Sequence, residues 1–124
     1  MNFKTPMVRL GFVAASTALA VAAWAAPAQA NPSAPWIGYG QTNTYNGVRC
    51  VQHLINSLYM QTNYHQVAED GIFGPDTAGA IKAYQQSEHL DVDGIVGPTT
   101  GTALIIATYG GNGTGCDYYV PTRY

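Results

Sequence analysis

The sequence contains few charged side chains, and beyond residue 30 it contains very few basic ones. Charged residues make up 10% of the 124 positions, and the cations after residue 30 are Arg49, Lys82 and Arg123, against seven carboxylates. Proteins that bind nucleic acids need a patch of Lys and Arg side chains that neutralises phosphate groups. Because the cations here are few and scattered, nucleic-acid binding is excluded.

Cysteine is also scarce, and no C-x-x-C pair is present. The two cysteines, Cys50 and Cys116, lie far apart, so the spacing of a redox or zinc motif is missing. An even number of cysteines in an exported chain indicates a disulfide. The sequence therefore predicts a Cys50–Cys116 disulfide, which contributes about 4 kcal/mol on the chain-entropy model.

Catalytic and metal-binding patterns are absent from the sequence as well. No two of His53, His65 and His89 have the i, i+4 spacing with which one helix presents two histidines to a metal. The one Asp-x-Asp-Gly segment lacks the bidentate Glu of a calcium loop, and no Ser or Cys nucleophile motif occurs. Asp70 and Asp93 could form a glycosidase pair, but a role in turns explains both. We therefore expect no metal, no cofactor and no catalytic residue.

The first 30 residues have the pattern of a secretory signal peptide. Lys4 and Arg9 form a positive n-region, residues 10–25 are an apolar run, and residues 28–30 (Ala-Gln-Ala) form a small-residue cleavage site. The alternative is an uncleaved membrane anchor, for which the run is short and rich in Ala. Cleavage after residue 30 removes two cations and changes the formal charge from −2 to −4. We expect a secreted, extracellular or cell-wall-associated chain that has no membrane segment after cleavage.

An eight-residue pattern that occurs twice is the most informative feature of the sequence. Residues 70–77 (DGIFGPDT) return as residues 93–100 (DGIVGPTT), with six of eight positions identical. Asp-Gly is typical of a tight turn in which Gly adopts a positive φ and Asp accepts a backbone hydrogen bond. A buried Ile is expected next; Pro then begins a helix, and the Thr can bond free N–H groups of its first turn. The residues assigned to the two turns are Asp70, Gly71, Gly74, Pro75, Thr77, Asp93, Gly94, Gly97, Pro98 and Thr100.

Apolar spacing predicts three helices. The first is expected to begin at Gly47 with Asn46 as its N-cap, and its apolar stripe consists of Val48, Val51, Leu54, Ile55 and Leu58. The second is expected over residues 75–88, with Ile81 and Tyr84 facing inward and Ala78 and Ala80 as small packing residues. The third is expected over residues 98–108, with a stripe of Ala103, Leu104 and Ala107.

The fold class predicted by this organisation is all-α, a compact three-helix bundle with two equivalent turns. Residues 1–30 are the signal peptide, 31–45 an extended lead-in with a short strand near 36–39, 46–109 the domain, and 110–124 a tail tied by Cys116 to Cys50. Residues 60–69 are expected to be a loop, and Leu90 and Val92 to pack under the second turn. A Gly-rich stretch at 110–115 is expected to be flexible, so that the tail depends on the disulfide for its order.

These residues, in this order, closely resemble the three-helix peptidoglycan-binding domain of bacterial cell-wall hydrolases and related secreted proteins. The resemblance rests on the doubled octet and on the Val-Gln and Tyr-Gln pairs of the first two helices, and it covers about residues 46–107. It implies a noncatalytic module that holds a protein on the murein layer. The sequence departs from the family at Gly101, where a large aromatic is common, at Tyr84, where Phe is more usual, and in its disulfide and Tyr-rich tail. Family members often carry a catalytic domain, for which we expect no room here.

A site for peptidoglycan needs aromatic faces, amides or hydroxyls, and one or two cations in a groove. The candidates are Asn63, Tyr64 and His65 in the loop before the first octet, Arg49 and Gln52 on the first helix, and Gln85 on the second. Each has a simpler interpretation. The two glutamines could bridge the octet turns, the arginine could be a solvated helix residue, and the loop residues could have no ligand.

The sequence therefore favours a small secreted protein that binds peptidoglycan without turning it over. A second hypothesis is a protein-interaction module, either an inhibitor or a targeting subunit of a separate secreted enzyme. It rests on tyrosines expected to be exposed, because Tyr is enriched at protein interfaces; they are Tyr39, Tyr45, Tyr118, Tyr119 and Tyr124. A third hypothesis is a small lytic enzyme.

Overall fold

Helix α1 (Tyr45–Ser57) lies at the centre of the fold and contacts all four other helices of the described residues. The computed structural model describes residues 31–109 and 114–123. The other helices are α2 (Tyr59–Thr62), α3 (Pro75–Ser87), α4 (Pro98–Tyr109) and α5 (Cys116–Tyr119). The predicted all-α class and bundle of three long helices are confirmed, and α3 and α4 begin at the two predicted prolines. In this part of the chain no helix has the length and apolar character needed to span a bilayer.

The start of α1 lies two residues before the predicted position. Thr44 is the N-cap, and its Oγ1 accepts a hydrogen bond from the Gly47 backbone N–H at 3.2 Å. Asn43 precedes it with φ of 55° and uses its own amide to bond both backbone groups of Gly38. The prediction of Asn46 as the N-cap is wrong because the Thr44 hydroxyl already satisfies the first turn, which leaves Asn46 inside the helix.

Two predictions for the connecting segments are corrected. The first residues of the loop predicted from residue 60 lie instead within the single-turn helix α2 (Tyr59–Thr62), which ends at Asn63 with φ of 56°. One helical turn is too short to show an apolar period, so the sequence pattern could not indicate it. In place of a strand near residues 36–39, an isolated antiparallel bridge joins Ile37 to Val96.

The core follows the predicted stripes of α1 and α3, and it departs from the stripe of α4. Its fully buried residues include Val48, Val51, Leu54, Ile81, Tyr84 and Leu104. On α4, Ala107 is exposed and Ile105 is buried. Because α4 is apolar over most of its surface, periodicity could not select its inner face. Leu90 packs against the core as predicted, whereas Val92 is half exposed.

The isoleucine of each octet does not occupy the predicted inner position. Ile72 has 67% of its surface exposed, while the next residue, Phe73, packs against the core. In the second copy Ile95 is half-buried and Val96 is completely buried. The Asp carboxylate accepts the Ile N–H in each turn, which holds the Ile at the tip of the turn and directs the following side chain inward. The prediction of a buried Ile is therefore wrong by one position.

The C-terminal tail is attached to the bundle by the predicted Cys50–Cys116 disulfide, whose Cα atoms are 5.4 Å apart. Noncovalent contacts hold it as well. Val120 and Pro121 are fully buried, and the Arg123 N–H donates to Thr102 Oγ1 at 2.9 Å. The predictions for the leader (1–30), for residues 110–113 and for Tyr124 lie outside the described residues.

Candidate functional site

The side-chain amide of Gln52 on α1 holds the first octet together. Its Nε2 donates to Asp70 Oδ1 at 3.0 Å, to the Ile72 carbonyl at 3.1 Å and to Thr77 Oγ1 at 3.0 Å. Its Oε1 accepts the Gly71 N–H at 2.9 Å. With 1% of its surface exposed, this amide is fully occupied inside the protein.

Gln85 on α3 makes the equivalent bonds to the second octet and one more, from the Asp93 N–H. Its Nε2 donates to Asp93 Oδ1 at 2.9 Å, to the Ile95 carbonyl at 3.0 Å and to Thr100 Oγ1 at 3.2 Å. Its Oε1 accepts the N–H groups of Asp93 and Gly94 at 3.1 and 2.9 Å. Both glutamines were candidates for ligand contact, but burial and saturated hydrogen bonding show that they bridge the turns.

The octet threonines and aspartates also act within the turns. Thr77 and Thr100 accept hydrogen bonds from the glutamine amides and not, as the sequence predicts, from the first N–H groups of the helices. The N-cap of α3 is Gly74, which provides no side chain. The hydrogen bond from the Ile72 N–H, followed by that from Gln52, lowers the pKa of Asp70. A carboxylate held in its ionised form in this way is a poor general acid. Gly71 and Gly94 have the predicted positive φ, at 71° and 73°.

The three predicted loop residues lie together at the start of α3. Asn63 ends α2, and the rings of Tyr64 and His65 are stacked with centroids 4.3 Å apart. Both rings reach Asp76 Oδ1, with the Tyr64 hydroxyl at 3.3 Å and His65 Nε2 at 2.6 Å. Burial, followed by the charge of Asp76, raises the pKa of Tyr64. The polar atoms of both rings thus fasten the loop to α3, while His65 stays exposed.

Arg49 lies apart from this loop, in a hollow between α1 and the tail. Its Nε donates to the Glu69 carbonyl at 3.3 Å, and the guanidinium is exposed. The hollow has a volume of about 410 Å³, and its walls consist of Asn46, Arg49, Cys50, His53, Glu69, Thr114, Gly115, Cys116 and Tyr119. In it, His53 Nδ1 lies 3.0 Å from Glu69 Oε2.

A second hollow, of about 420 Å³, adjoins the first and shares Asn46 and Tyr119 with it. Its remaining walls are Asn31, Ala34, Pro35, Thr44, Tyr45 and Tyr118. Tyr45 and Tyr118 are more than half exposed, and the rings of Tyr118 and Tyr119 have centroids 5.2 Å apart. We call the two hollows together the tail groove. Arg49 is the one predicted ligand-binding residue that lines it. The sequence features that could have indicated the tail groove are the two cysteines and the tyrosines near Cys116.

The described part of the chain holds no cluster of three or more His, Cys, Asp or Glu side chains arranged to bind a metal ion. The Asp and Glu residues discussed above are paired with amides, histidines or their own backbone. The arrangement therefore offers hydrogen-bond donors, one guanidinium and aromatic faces, which are groups suited to binding.

Comparison with known proteins identifies a family for the central segment. Residues 44–104 match the family model described as "Putative peptidoglycan binding domain". No curated protein and no solved structure matches the chain. The matched segment includes both octets, both bridging glutamines and all of α1 and α3. Residues 44–104 are thus a domain of this family, which confirms the resemblance and supports peptidoglycan binding in general.

Proposed function

We propose that this chain, whose residues 44–104 belong to the peptidoglycan-binding family, acts as a small secreted protein that binds the cell wall noncovalently and does not turn it over. The family match is the observation that carries the proposal. The hydrogen bonding of the octets supports the noncatalytic part, because Asp70 and Asp93 are engaged in their own turns. Secretion is supported by the leader pattern in residues 1–30.

Sedimentation with purified insoluble murein tests the binding. We expect the folded protein to sediment with murein in a saturable manner and to be released by an excess of soluble muropeptides. A sample that has been reduced and alkylated in denaturant is the control for adsorption of unfolded chain. Folded protein that stays in the supernatant at all murein concentrations would contradict the proposal.

Two further measurements address secretion and the absence of turnover. Mass spectrometry of the protein from culture medium should give a chain that begins at Asn31; an intact leader would contradict secretory processing. Dye release from labelled cell walls should equal that of buffer alone. Release that rises with protein concentration would instead favour the small lytic enzyme.

A protein-interaction module is the second candidate function, and the exposure of four predicted tyrosines favours it. Tyr39, Tyr45, Tyr118 and Tyr119 each have 41% or more of their surface exposed. Such a module would serve as an inhibitor or targeting subunit of a separate secreted enzyme. Chemical crosslinking in culture supernatant should then give one stoichiometric adduct, which is lost when Tyr118 and Tyr119 are replaced by Ser.

A further inference from the structure

The tail groove has one wall from the family domain and one from outside it. The first wall is the N-terminal half of α1, with Asn46 and Arg49. The second consists mainly of residues 114–119, which are joined to α1 by the Cys50–Cys116 disulfide, with Asn31, Ala34 and Pro35 beside them. All of these residues lie outside the matched segment 44–104. The groove is therefore a feature of this chain that the family match does not describe.

Arg49 supplies the positive charge of the groove. Only its Nε is engaged, by the Glu69 carbonyl at 3.3 Å; within the described residues the two terminal nitrogens make no hydrogen bond. A guanidinium with free terminal nitrogens can bind a carboxylate through two parallel hydrogen bonds. Lys82 and Arg123, the other cations after residue 30, line neither hollow.

Glu69 also lines the groove, and the contacts of its carboxylate show whether it occupies Arg49. One oxygen lies 3.0 Å from His53 Nδ1, and the other accepts the Asn56 amide at 3.2 Å. Both oxygens are thus engaged by neighbours, while Arg49 bonds the Glu69 backbone and not its carboxylate. Arg49 is therefore available to an anionic group of a ligand.

The other half of the groove presents aromatic faces. Tyr45 and Tyr118 are 59% and 56% exposed, and Tyr119, which lines both hollows, is 41% exposed. Such rings have an apolar face and a polar hydroxyl, so they pack against the flat face of a sugar while their hydroxyls bond its edge. Asn46, between the two hollows, adds an exposed amide.

We propose that the tail groove is a ligand subsite for a carboxylate-bearing sugar-peptide, with the carboxylate on Arg49 and the sugar against Tyr45 and Tyr119. The inference rests on the proposed function, because peptidoglycan fragments combine sugar rings, amides and free carboxylates. The subsite also needs the disulfide-bound tail, because residues 114–119 form one of its walls. Since the protein is acidic overall, recognition depends on short-range contacts rather than on long-range attraction.

Titration of the protein with a soluble muropeptide, followed by amide NMR, tests the location. We expect the largest shifts at Asn46, Arg49 and residues 114–119. Arg49→Gln should weaken binding of the free acid by about tenfold or more, and it should have little effect on the same muropeptide with its carboxyls amidated. Arg123→Gln is the matched control: this arginine bonds the Thr99 hydroxyl outside the groove, so affinity should stay within about twofold.

Tyr119→Leu tests the aromatic half, and Tyr39→Leu is its control because Tyr39 is exposed but lines neither hollow. Only Tyr119→Leu should weaken binding, with thermal unfolding confirming that both variants fold. Equal effects of Arg49→Gln and Arg123→Gln on affinity would contradict the proposed subsite, and so would NMR shifts centred on residues 63–65 or 93–100. Neither outcome would contradict the proposal that the protein binds the cell wall. If the wild-type protein does not sediment with murein, the proposed function fails and the subsite fails with it.

Discussion

The turn at residues 70–77 and the turn at residues 93–100 are held by the same hydrogen bonds but are covered by different parts of the chain. In each, a buried glutamine binds the Asp carboxylate, the Ile carbonyl, the Thr hydroxyl and the Gly N–H. The two glycines differ by only 2° in φ. Local sequence identity thus produces nearly identical local structure.

The surroundings of the two turns differ because distant segments cover them. At the second turn, Val96 pairs with Ile37 through two backbone hydrogen bonds of 2.7 and 3.2 Å, and the Trp36 ring lies against Gly97. At the first turn, the Phe73 and Tyr39 rings meet edge to face with centroids 5.1 Å apart, and the Tyr45 ring lies against Gly71. The exposure of Ile72, compared with half-buried Ile95, follows from this difference in cover.

The helix positions just after the two turns differ even more. Ala78 in α3 is buried at 5% exposure, and the equivalent residue in α4 is Gly101. A Cβ atom at Gly101 would overlap the Pro121 carbonyl oxygen. The tail thus occupies the space that a side chain at position 101 would need. The absence of a side chain at this position is what lets the tail pack against α4.

Removal of either bridging glutamine should have the largest effect on stability. We expect Gln52→Ala and Gln85→Ala each to lower the free energy of unfolding by about 3 kcal/mol, because several buried hydrogen bonds are lost and turn groups are left unpaired. Guanidinium unfolding measures the change. Gln86→Ala, at an exposed neighbouring position, is the control and should change it by less than about 0.5 kcal/mol. If Gln85→Ala lowers the free energy of unfolding much less than Gln52→Ala, the packing of Trp36 and Ile37, rather than the glutamine amide, holds the second turn.

Adding a side chain at Gly101 should have the second-largest effect on stability. Gly101→Ala is expected to cost about 2 kcal/mol, because its Cβ displaces the backbone of Pro121. The reverse change at the equivalent site, Ala78→Gly, should cost about 1 kcal/mol through helix propensity. A double-mutant cycle with a chain that ends at Val120 separates the causes. In the shortened chain Gly101→Ala should be neutral or stabilising; an undiminished cost would contradict the overlap with the tail.

Removal of the Tyr84 hydroxyl should stabilise the protein by about 1 kcal/mol. Val51 precedes Gln52 and Tyr84 precedes Gln85, and both side chains are completely buried. The Tyr84 hydroxyl has no hydrogen-bond partner among the described residues. Burial, followed by the charge of Glu88, raises the pKa of Tyr84. Calorimetry of Tyr84→Phe should show a higher Tm, and Tyr59→Phe, at an exposed site, should not. A lower Tm for Tyr84→Phe would indicate that the hydroxyl is bonded in solution.

The smallest effect concerns the pH dependence of the first turn. The Ile72 N–H and then the Gln52 amide lower the pKa of Asp70 below 3.8, so the folded state favours the ionised carboxylate. Its contribution to stability is present above the pKa of the unfolded chain and is lost as pH falls through the lower folded value. Carboxyl-carbon NMR should give a pKa below 3.8 for Asp70. The stability difference between wild type and Asp70→Asn should shrink as the pH is lowered toward that value, and a pKa at or above the ordinary one would refute the prediction.

Features carried by adjacent residues could be predicted from the sequence. The turn glycines, the starts of α3 and α4 at Pro75 and Pro98, and the disulfide all depend on local chemistry or on a single pairing of cysteines. The errors arose where several groups competed for one role. Thr44 rather than Asn46 caps α1 because its hydroxyl accepts the Gly47 N–H. On α4, Ile105 rather than Ala107 is buried because packing partners far along the chain select the inner face.

The candidate site was less predictable than the fold. The charge and position of Arg49 make it a candidate, but most other residues of the tail groove come from segments 31–46 and 114–119, which are distant from each other in sequence. The disulfide indicates that the tail meets α1, but no local pattern indicates that residues 31–46 also meet the tail. Gln52 and Gln85 were given two interpretations, and only their burial and bonding distinguished a bridging role from ligand contact.

The doubled turn follows from neighbouring residues alone, because Asp-Gly and Gly-Pro restrict the backbone over a few bonds whatever surrounds them. The sequence also determines which two cysteines pair, since only two are present. The tertiary structure alone decided which turn is covered, where the tail packs and what lines the tail groove. Those outcomes depend on the shape and volume left between elements that meet only after the chain has folded, and the packing of Pro121 on Gly101 is the clearest instance.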